Sequence, residues 1–316
     1  TPIIYSLDGP GGAGTGPVID EGAGGVITIQ SKGTVSIINP AYDSNVPGSP
    51  FRVDRNYGFG TIEGQVLLND APLTINSWSD STIEAVVPTD AVTGRVTVVR
   101  GDNSAATDVG VTLHVVDIAT TNIHYVDDDG GADYMTIQDA IDANSTLPGD
   151  LILVAPGVYN ENVILFKPLR LQGFGSGGTT IFGYPNPLEK LDLWHDRLNA
   201  LGAREFVQFL LKDPFGENEA PGIIVIGETT FEGGNLQNPD PGVTMLFNEG
   251  YPFNLPDRTQ IDGFTISGSK AGGAIFAVSG ANHLVVSCNN LTGNQGAYAG
   301  GVAIGTQDVG FASTNH

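Results

Sequence analysis

The chain has one cysteine, few basic side chains and no long apolar run. The single cysteine, Cys288, excludes an internal disulfide and a zinc site built from cysteines. The longest strictly apolar runs are five residues, at 151–155 and 274–278, whereas a transmembrane helix needs about 20. Only 13 basic residues oppose 35 acidic ones, a formal net charge of −22. Nucleic-acid binding needs clustered Lys and Arg, so we expect no nucleic-acid partner and no transmembrane segment.

Glycine, in contrast, is abundant. The 316 residues include 44 glycines, about one in seven, and only 15% are charged. That glycine content is about twice ordinary usage and favours tight turns over helices. The length is typical of about two domains, each long enough to bury its own core. The composition therefore predicts an all-β protein of two domains.

Residues 1–117 alternate short β-branched runs with turn residues, which predicts a sandwich of strands. The pair Asn69–Asp70 has the residue types of a hairpin turn. Residues 39–50 carry three prolines and predict a long irregular loop. The predicted strands are Val26–Ile29, Gln65–Leu68, Thr82–Val87, Arg95–Val99 and Val111–Val116.

Two motifs in this region carry a family resemblance. They are a GFG turn within Tyr57–Val66 and an SWSD turn within Ser77–Ile83, and the chain opens on a strand-like Thr1–Ile4. With them, residues 1–117 resemble an IPT/TIG domain, which implies an immunoglobulin-like sandwich acting as a spacer or interaction module. An expanded loop at 31–56 adds roughly 25 residues to the family pattern.

Residues 118–316 have a different sequence pattern from residues 1–117. The segment Thr136–Ala143 places Ile137, Ala140 and Ile141 on one face and pairs Thr136 with Asp139 as a capping box, so it predicts a short helix. Strand-like runs precede and follow it. They are Ile123–Val126, Leu151–Val154, Asn162–Leu165, Leu169–Gly173 and Thr179–Ile181.

An internal repeat predicts the architecture of this second region. Residues 261–268 recur 25 positions later at 286–293, and Gly272–Ile275 recurs 28 positions later at Gly300–Ala303. Repeats of this period with β-rich content are typical of a β-solenoid.

With the stretches Val154–Val163 and Leu169–Gly175, residues 118–316 resemble the pectin-lyase-like superfamily. This resemblance implies a right-handed parallel β-helix whose first turn is covered by the short helix. Leucines at three- and four-residue steps predict a helical insertion at about 187–213. The end at 314–316 shows no cap, so the coil is predicted to be truncated.

The sequence offers candidate binding residues but no assigned catalytic one. Trp78 is a candidate platform for stacking a sugar and Trp194 is a candidate ligand-binding residue, the alternative for both being aromatic packing. Asp127, Asp129 and Asp133 are candidate calcium ligands, the alternative being a solvated turn, because the spacing does not match an EF-hand.

Acidic residues that are far apart in the sequence leave one alternative open, namely that the chain is an enzyme acting on glycosidic bonds. Asp192, Asp262 and Asp308 are such acids, and Arg258 and Lys270 flank Asp262. The NTD, GHG and RIK motifs of polygalacturonase-like members are missing.

The leading hypothesis is a non-catalytic extracellular or cell-surface scaffold, adhesion or binding segment of a larger secreted protein. Its expected partners are a polysaccharide or a surface protein, and self-assembly is also expected. One alternative is a polysaccharide lyase or hydrolase that uses the β-helix groove. A second rests on the order of the two modules, which is similar to the leading part of large secreted bacterial proteins. The chain would then be the accessory N-terminal region of a multicopper-oxidase-type enzyme.

Overall fold

The computed structural model describes residues 1–200, 219–226, 229–231, 245–247, 259–277, 281, 283–296 and 299–304. Strands dominate these residues, with few helices and several parallel sheets. The prediction of an all-β protein is therefore confirmed at the level of class. None of the helices in the described part of the chain has the length and hydrophobicity that crossing a bilayer requires.

The first region forms two main sheets, in strand orders β1-β3-β9-β8 and β2-β11-β10-β6-β7. Its strands are β1 (Ile4–Asp8), β2 (Val18–Asp20), β3 (Gly25–Ser31), β4 (Thr34–Ile38), β5 (Arg52–Asn56), β6 (Gln65–Leu68), β7 (Ala71–Pro72), β8 (Thr74–Trp78), β9 (Thr82–Val87), β10 (Gly94–Val99) and β11 (Val111–Val116). Most pairs are antiparallel, and β2 joins β11 in parallel. All five strands predicted in this region are present.

Both sheets contribute to one buried core. In β9 the buried positions alternate, with Ile83, Ala85 and Val87 inside, and Val96 and Val98 of β10 face them from the other sheet. This period of two is the one expected of strands with one face in a core.

The expanded segment 31–56 contains a hairpin, and the irregular loop predicted at 39–50 lies at its tip. Strands β4 and β5 pair only with each other, from Thr34 opposite Asn56 to Ile38 opposite Arg52. The loop at 39–51 that joins them is held by its own hydrogen bonds, including one from the Asn39 N–H to the Phe51 carbonyl. The three prolines thus lie in the tip and leave the strands free to pair.

The GFG and SWSD turns contact each other. Asp80 accepts hydrogen bonds from the Phe59 N–H through its carbonyl and from the Gly60 N–H through Oδ1, both at 2.8 Å. The Trp78 indole N–H donates to the Gly60 carbonyl at 2.9 Å. A Cβ on Gly58 would collide with the Asp80 carboxylate, so only glycine fits there.

The second region is a coil whose chain visits three parallel sheets in turn. Their strand orders are β12-β13-β16-β21-β24, β14-β17-β22-β25 and β15-β18-β23-β26, and we call them sheets I, II and III. The strands are β12 (Ile123–Val126), β13 (Leu151–Val154), β14 (Gly157–Tyr159), β15 (Val163–Leu165), β16 (Arg170–Gly173), β17 (Thr179–Phe182), β18 (Ile223–Val225), β19 (Thr229–Phe231), β20 (Met245–Phe247), β21 (Gln260–Asp262), β22 (Thr265–Ser267), β23 (Ile275–Ala277), β24 (Val285–Ser287), β25 (Asn290–Thr292) and β26 (Val302–Ile304). Strands β19 and β20 form a separate antiparallel pair.

The repeat corresponds to successive turns of this coil. Ile261 lies beside Val286 and Ile266 beside Leu291, both 25 residues apart as predicted. In sheet III, however, Ile275 pairs with Val302, so the second echo has an offset of 27 and the predicted 28 is wrong. A one-residue slip exchanges inward and outward side chains, and the apolar core selects the observed register.

The predicted short helix is α1 (Ile137–Asp142). Thr136 is its N-cap, and its hydroxyl accepts a hydrogen bond from the Asp139 N–H at 3.1 Å. The half-buried carboxylate of Glu161 accepts from the N–H groups of Ile137 and Gln138. The apolar side of α1 joins the core of the coil, so the helix covers its first turn.

A second helix, α2 (Glu189–Ala200), lies within the predicted insertion at 187–213. Leu191, Trp194 and Leu198 point to one side and are buried, as their spacing predicts. The rest of the insertion, residues 201–213, and the C-terminal end at 314–316 lie outside the described residues.

Candidate functional site

The two regions meet through one row of outward-facing side chains on sheet I. The row runs along the coil in register through Tyr125, Leu153, Gln172, Asp262 and Ser287. Its first positions are apolar and its last positions are polar. We call this contact the joint.

Strand β11 lies against this row. Val111 and Leu113 enter the core of the first region, while the alternating Thr112 and His114 hydrogen-bond to side chains of the coil. This strand is therefore buried on both faces from Val111 to His114. A strand between two packed layers needs polar partners for every polar side chain that it buries.

Asp262 is the centre of the polar part of the joint and is fully buried. Its Oδ2 accepts from the Thr112 hydroxyl at 2.8 Å and from the Ser287 hydroxyl at 2.6 Å. Its Oδ1 accepts from the Gln172 amide at 2.9 Å and from the Thr112 N–H at 3.3 Å. A buried carboxylate is stabilised only by such donors, so Asp262 joins the two regions and is enclosed by them.

His114 lies in the same joint and is 1% exposed. Its Nε2 is 2.9 Å from the Gln172 side-chain oxygen. Burial lowers the pKa of His114 to about 4, because the imidazolium form loses its hydration there. The ring is thus neutral near pH 7 and donates or accepts without carrying charge.

The other end of the joint is apolar. Val18 of the first region packs with Leu151, Leu153 and Phe174 of the coil in one buried cluster. The Leu7 N–H donates to the Phe174 carbonyl at 2.9 Å. Apolar packing and main-chain hydrogen bonds therefore both hold the regions together.

Helix α2 covers the outward side of sheet III. Ile164, Ile224 and Phe276 form the outward row of that sheet, and Leu191 and Trp194 pack on them. Trp194 is 3% exposed. The structure thus gives Trp194 a packing role and leaves no exposed ring face for a sugar.

Sheet II has the open face in the described part of the chain. Its outward positions include Val158, which is 62% exposed, and Phe182, which is 36% exposed. Phe182 and Tyr184 form a near-parallel ring pair with centroids 5.8 Å apart. The Lys270 ammonium lies 5.0 Å from the centre of the Tyr184 ring. We call this surface the open face.

Trp78 is half-buried in the first region. Its ring lies 6.3 Å from that of Phe59, and its indole N–H is bonded to the Gly60 carbonyl. It joins the edge of the first core. These contacts give Trp78 an anchoring role in its turn, and a ligand there stays a prediction.

The acidic turn brings together Asp127, Asp128 and Asp129, with one ligand oxygen of each within 4.8 Å of the others. Asp133 is outside this group, since its Oδ2 accepts from the Tyr125 N–H at 3.0 Å. Two of the three candidate calcium ligands, Asp127 and Asp129, therefore belong to this group, and its third member, Asp128, is part of the same acidic run.

The arrangement offers a partial shell for a hard cation. Calcium takes six to eight oxygens at about 2.3–2.6 Å, and three carboxylates would leave the remaining positions to water. Asp127 and Asp128 each use one oxygen within the protein, for the Asp129 N–H and the Val158 N–H. The carboxylates are of the right chemistry for calcium, which stays a prediction.

The candidate catalytic acids are not brought together in the described residues. Asp262 is enclosed in the joint, and Asp192 is on the exposed side of α2. Arg258 and Asp308 lie outside the described residues.

Cys288 occupies the repeat position of Gly263, as predicted, and both have positive φ. Burial raises the pKa of the Cys288 thiol to about 12, which keeps it protonated.

Sequence reasoning missed the joint. One signal for it was available, because Thr112 and His114 alternate with apolar residues in a strand that ends the first region. That pattern predicts a polar outer face, and nothing in it indicates that a second region covers the face.

Comparison with known proteins adds little. No protein-family model matches the chain, and no curated protein matches it significantly. Among solved structures, it is similar to the crystal structure of a gamma-CGTase from alkalophilic Bacillus clarkii, with 17% identity and a TM-score of 0.24. The match covers 40% of this chain and 14% of that one. A similarity at this level assigns neither fold nor activity.

Proposed function

We propose that this chain is a non-catalytic scaffold segment of a larger extracellular or cell-surface protein. In it, an IPT/TIG immunoglobulin-like domain is fixed to a pectin-lyase-like right-handed parallel β-helix. The GFG–SWSD contact supports the first resemblance, and the 25-residue spacing of paired strands supports the second. Its role is to hold binding surfaces at a fixed distance and orientation.

The observation that carries this proposal is the joint. Two modules on a flexible linker move independently, but here a buried carboxylate, a buried imidazole and an apolar cluster all connect the regions. The connecting residues 117–122 are few and are also tied down, since the Ile118 N–H donates to Asp20 at 3.1 Å. A rigid joint would let the two regions act as a spacer of fixed length.

The covering of the coil also supports a role without catalysis. An enzyme acting on a polysaccharide needs an open groove with positioned acids or a base. In the described residues, the first region covers sheet I and α2 covers sheet III. The carboxylate that the sequence placed between Arg258 and Lys270 is one of the covered groups.

Three measurements test the proposal. Purified protein incubated with polygalacturonate or alginate, with and without calcium, is expected to release neither unsaturated products nor reducing ends. Small-angle X-ray scattering is expected to fit one rigid shape, and proteolysis is expected to spare residues 117–122. Cleavage of either polymer, or rapid cutting between the regions, would refute the scaffold function.

A further inference from the structure

The hairpin β4–β5 projects from the first region without entering its core. From residue 31 to residue 57 no side chain is buried. Nevertheless, its tip displays large apolar side chains, namely Ile38 (59% exposed), Tyr42 (42%), Val46 (53%) and Phe51 (54%). Apolar side chains grouped at the end of a projection are typical of an interaction site.

The tip of the hairpin is preorganised by contacts within the loop. The Tyr42 and Phe51 rings meet edge to face at 5.3 Å. The Asp43 N–H donates to the Ser49 hydroxyl, and the Asn45 N–H donates to Asp43. Because these bonds fix the loop, little conformational entropy is lost when it binds.

The charge of the hairpin indicates what it would contact. Residues 31–56 carry three basic and two acidic side chains, whereas the rest of the chain carries 10 basic and 33 acidic. Arg52 lies exposed at the tip end of β5, opposite Ile38, whereas Arg55 lies nearer the base of the hairpin, opposite Val35. The hairpin is thus an apolar, slightly basic projection on an acidic protein, and its best complement is an acidic surface with exposed apolar groups.

The open face of the same chain has that character at one end. Val158 is exposed there, and its N–H donates to Asp128 at 3.1 Å, so the acidic turn lies directly beside it. Phe182 continues the apolar surface along sheet II. Within one copy the hairpin buries nothing, so it leaves its own open face free.

We propose that the hairpin β4–β5 is a docking arm that seats on the open face of a second copy of this chain. Tyr42 and Phe51 pack against Val158 and Phe182, and Arg52 pairs with the acidic turn. The two surfaces differ, so the contact is heterologous and joins copies head to tail. This assembly goes beyond the scaffold function and does not depend on the absence of catalysis.

The test measures association of the purified chain at physiological ionic strength, which screens the mutual repulsion of copies carrying −22 each. Sedimentation of the wild type is expected to show species larger than a monomer as concentration rises. Tyr42→Ser with Phe51→Ser, and separately Val158→Ser with Phe182→Ser, should each weaken association by roughly a hundredfold.

Mixing the two double variants is the decisive measurement. The arm variant keeps an intact face and the face variant keeps an intact arm, so an equal mixture should form dimers and stop there. The matched control, Ile62→Ser with Val92→Ser, removes equally exposed apolar side chains elsewhere and should associate like wild type. Circular dichroism checks that each variant is folded.

Three outcomes would overturn the proposal. They are a wild type that stays monomeric at high concentration, an arm variant that associates like wild type, and a mixture of folded variants that stays monomeric. Each leaves the polymer-cleavage and scattering results unaffected, so the scaffold function is judged separately.

Discussion

The two regions are both built from strands, yet their burial patterns differ. Strand β9 of the first region alternates between buried and open positions, whereas β13, β15, β18 and β23 of the coil are buried at every residue. The coil strands of sheet II, such as β22 and β25, keep the alternation. Parallel strands are therefore buried throughout only where another element covers their outer side, which is the first region for sheet I and α2 for sheet III.

The largest expected effect comes from uncovering sheet III. Trp194→Ala removes the buried ring that packs on Ile164 and Ile224, and should lower the free energy of unfolding by about 4 kcal/mol. Denaturant unfolding measures it. Trp78→Ala, at a half-buried position, should cost less than half as much. If both variants lowered the free energy of unfolding equally, the cover that α2 gives sheet III would not be essential for stability.

The next effect comes from the joint. Asp262→Ala leaves the Thr112 and Ser287 hydroxyls and the Gln172 amide without their acceptor. We expect a loss of about 3 kcal/mol in the free energy of unfolding. Asp90→Ala, at an exposed position, is the control and should change it by less than about 0.5 kcal/mol. If the two variants match, the buried carboxylate does not hold the regions together.

The joint should also make stability depend on pH through His114. Its folded pKa, about 4, is below the ordinary 6.5, so the unfolded chain binds the proton first as the pH falls. The contribution of His114 is complete above pH 6.5 and is lost progressively down to pH 4, by at most roughly 3 kcal/mol. His114→Gln cannot titrate, so the stability difference between variant and wild type should change across this window. A constant difference would contradict the assignment.

The smallest effect is expected at the acidic turn, whose carboxylates are more accessible than the buried Asp262. If the turn binds calcium with the millimolar affinity typical of extracellular modules, excess calcium should stabilise the protein by about 1 kcal/mol. Asp127→Asn with Asp129→Asn should remove that gain. Thermal unfolding with calcium and with a chelator measures it. No gain in the wild type would remove calcium from this site.

Much of the fold was predictable because its signals are local. The N-cap at Thr136 and the alternation in β9 each depend on neighbours within a few residues, and the coil repeats at a short period. The prolines at 39–50 correctly predicted an irregular loop, but the strands β4 and β5 on either side of it were missed. The 27-residue offset was missed because matching glycines, which do not set the register, suggested 28.

The candidate binding residues were less predictable, since sequence does not show what covers a side chain. Trp194 and Trp78 are both aromatic residues in turn or helix contexts, and only the structure separates a covered ring from a half-open one. The acidic run at 127–129 suggested a cation site, but a consecutive run does not show which oxygens converge, or that Asp133 lies outside the group.

The sequence by itself determined that this protein is made of strands and tight turns, that it is strongly acidic, and that its second half repeats, because composition and periodicity are properties of the chain. Only the tertiary structure decided that Asp262 and His114 are buried between two regions, that within the described residues sheets I and III are covered while sheet II is open, and that the hairpin projects. These depend on contacts between segments as far apart as Thr112 and Asp262, and no local pattern encodes such an encounter.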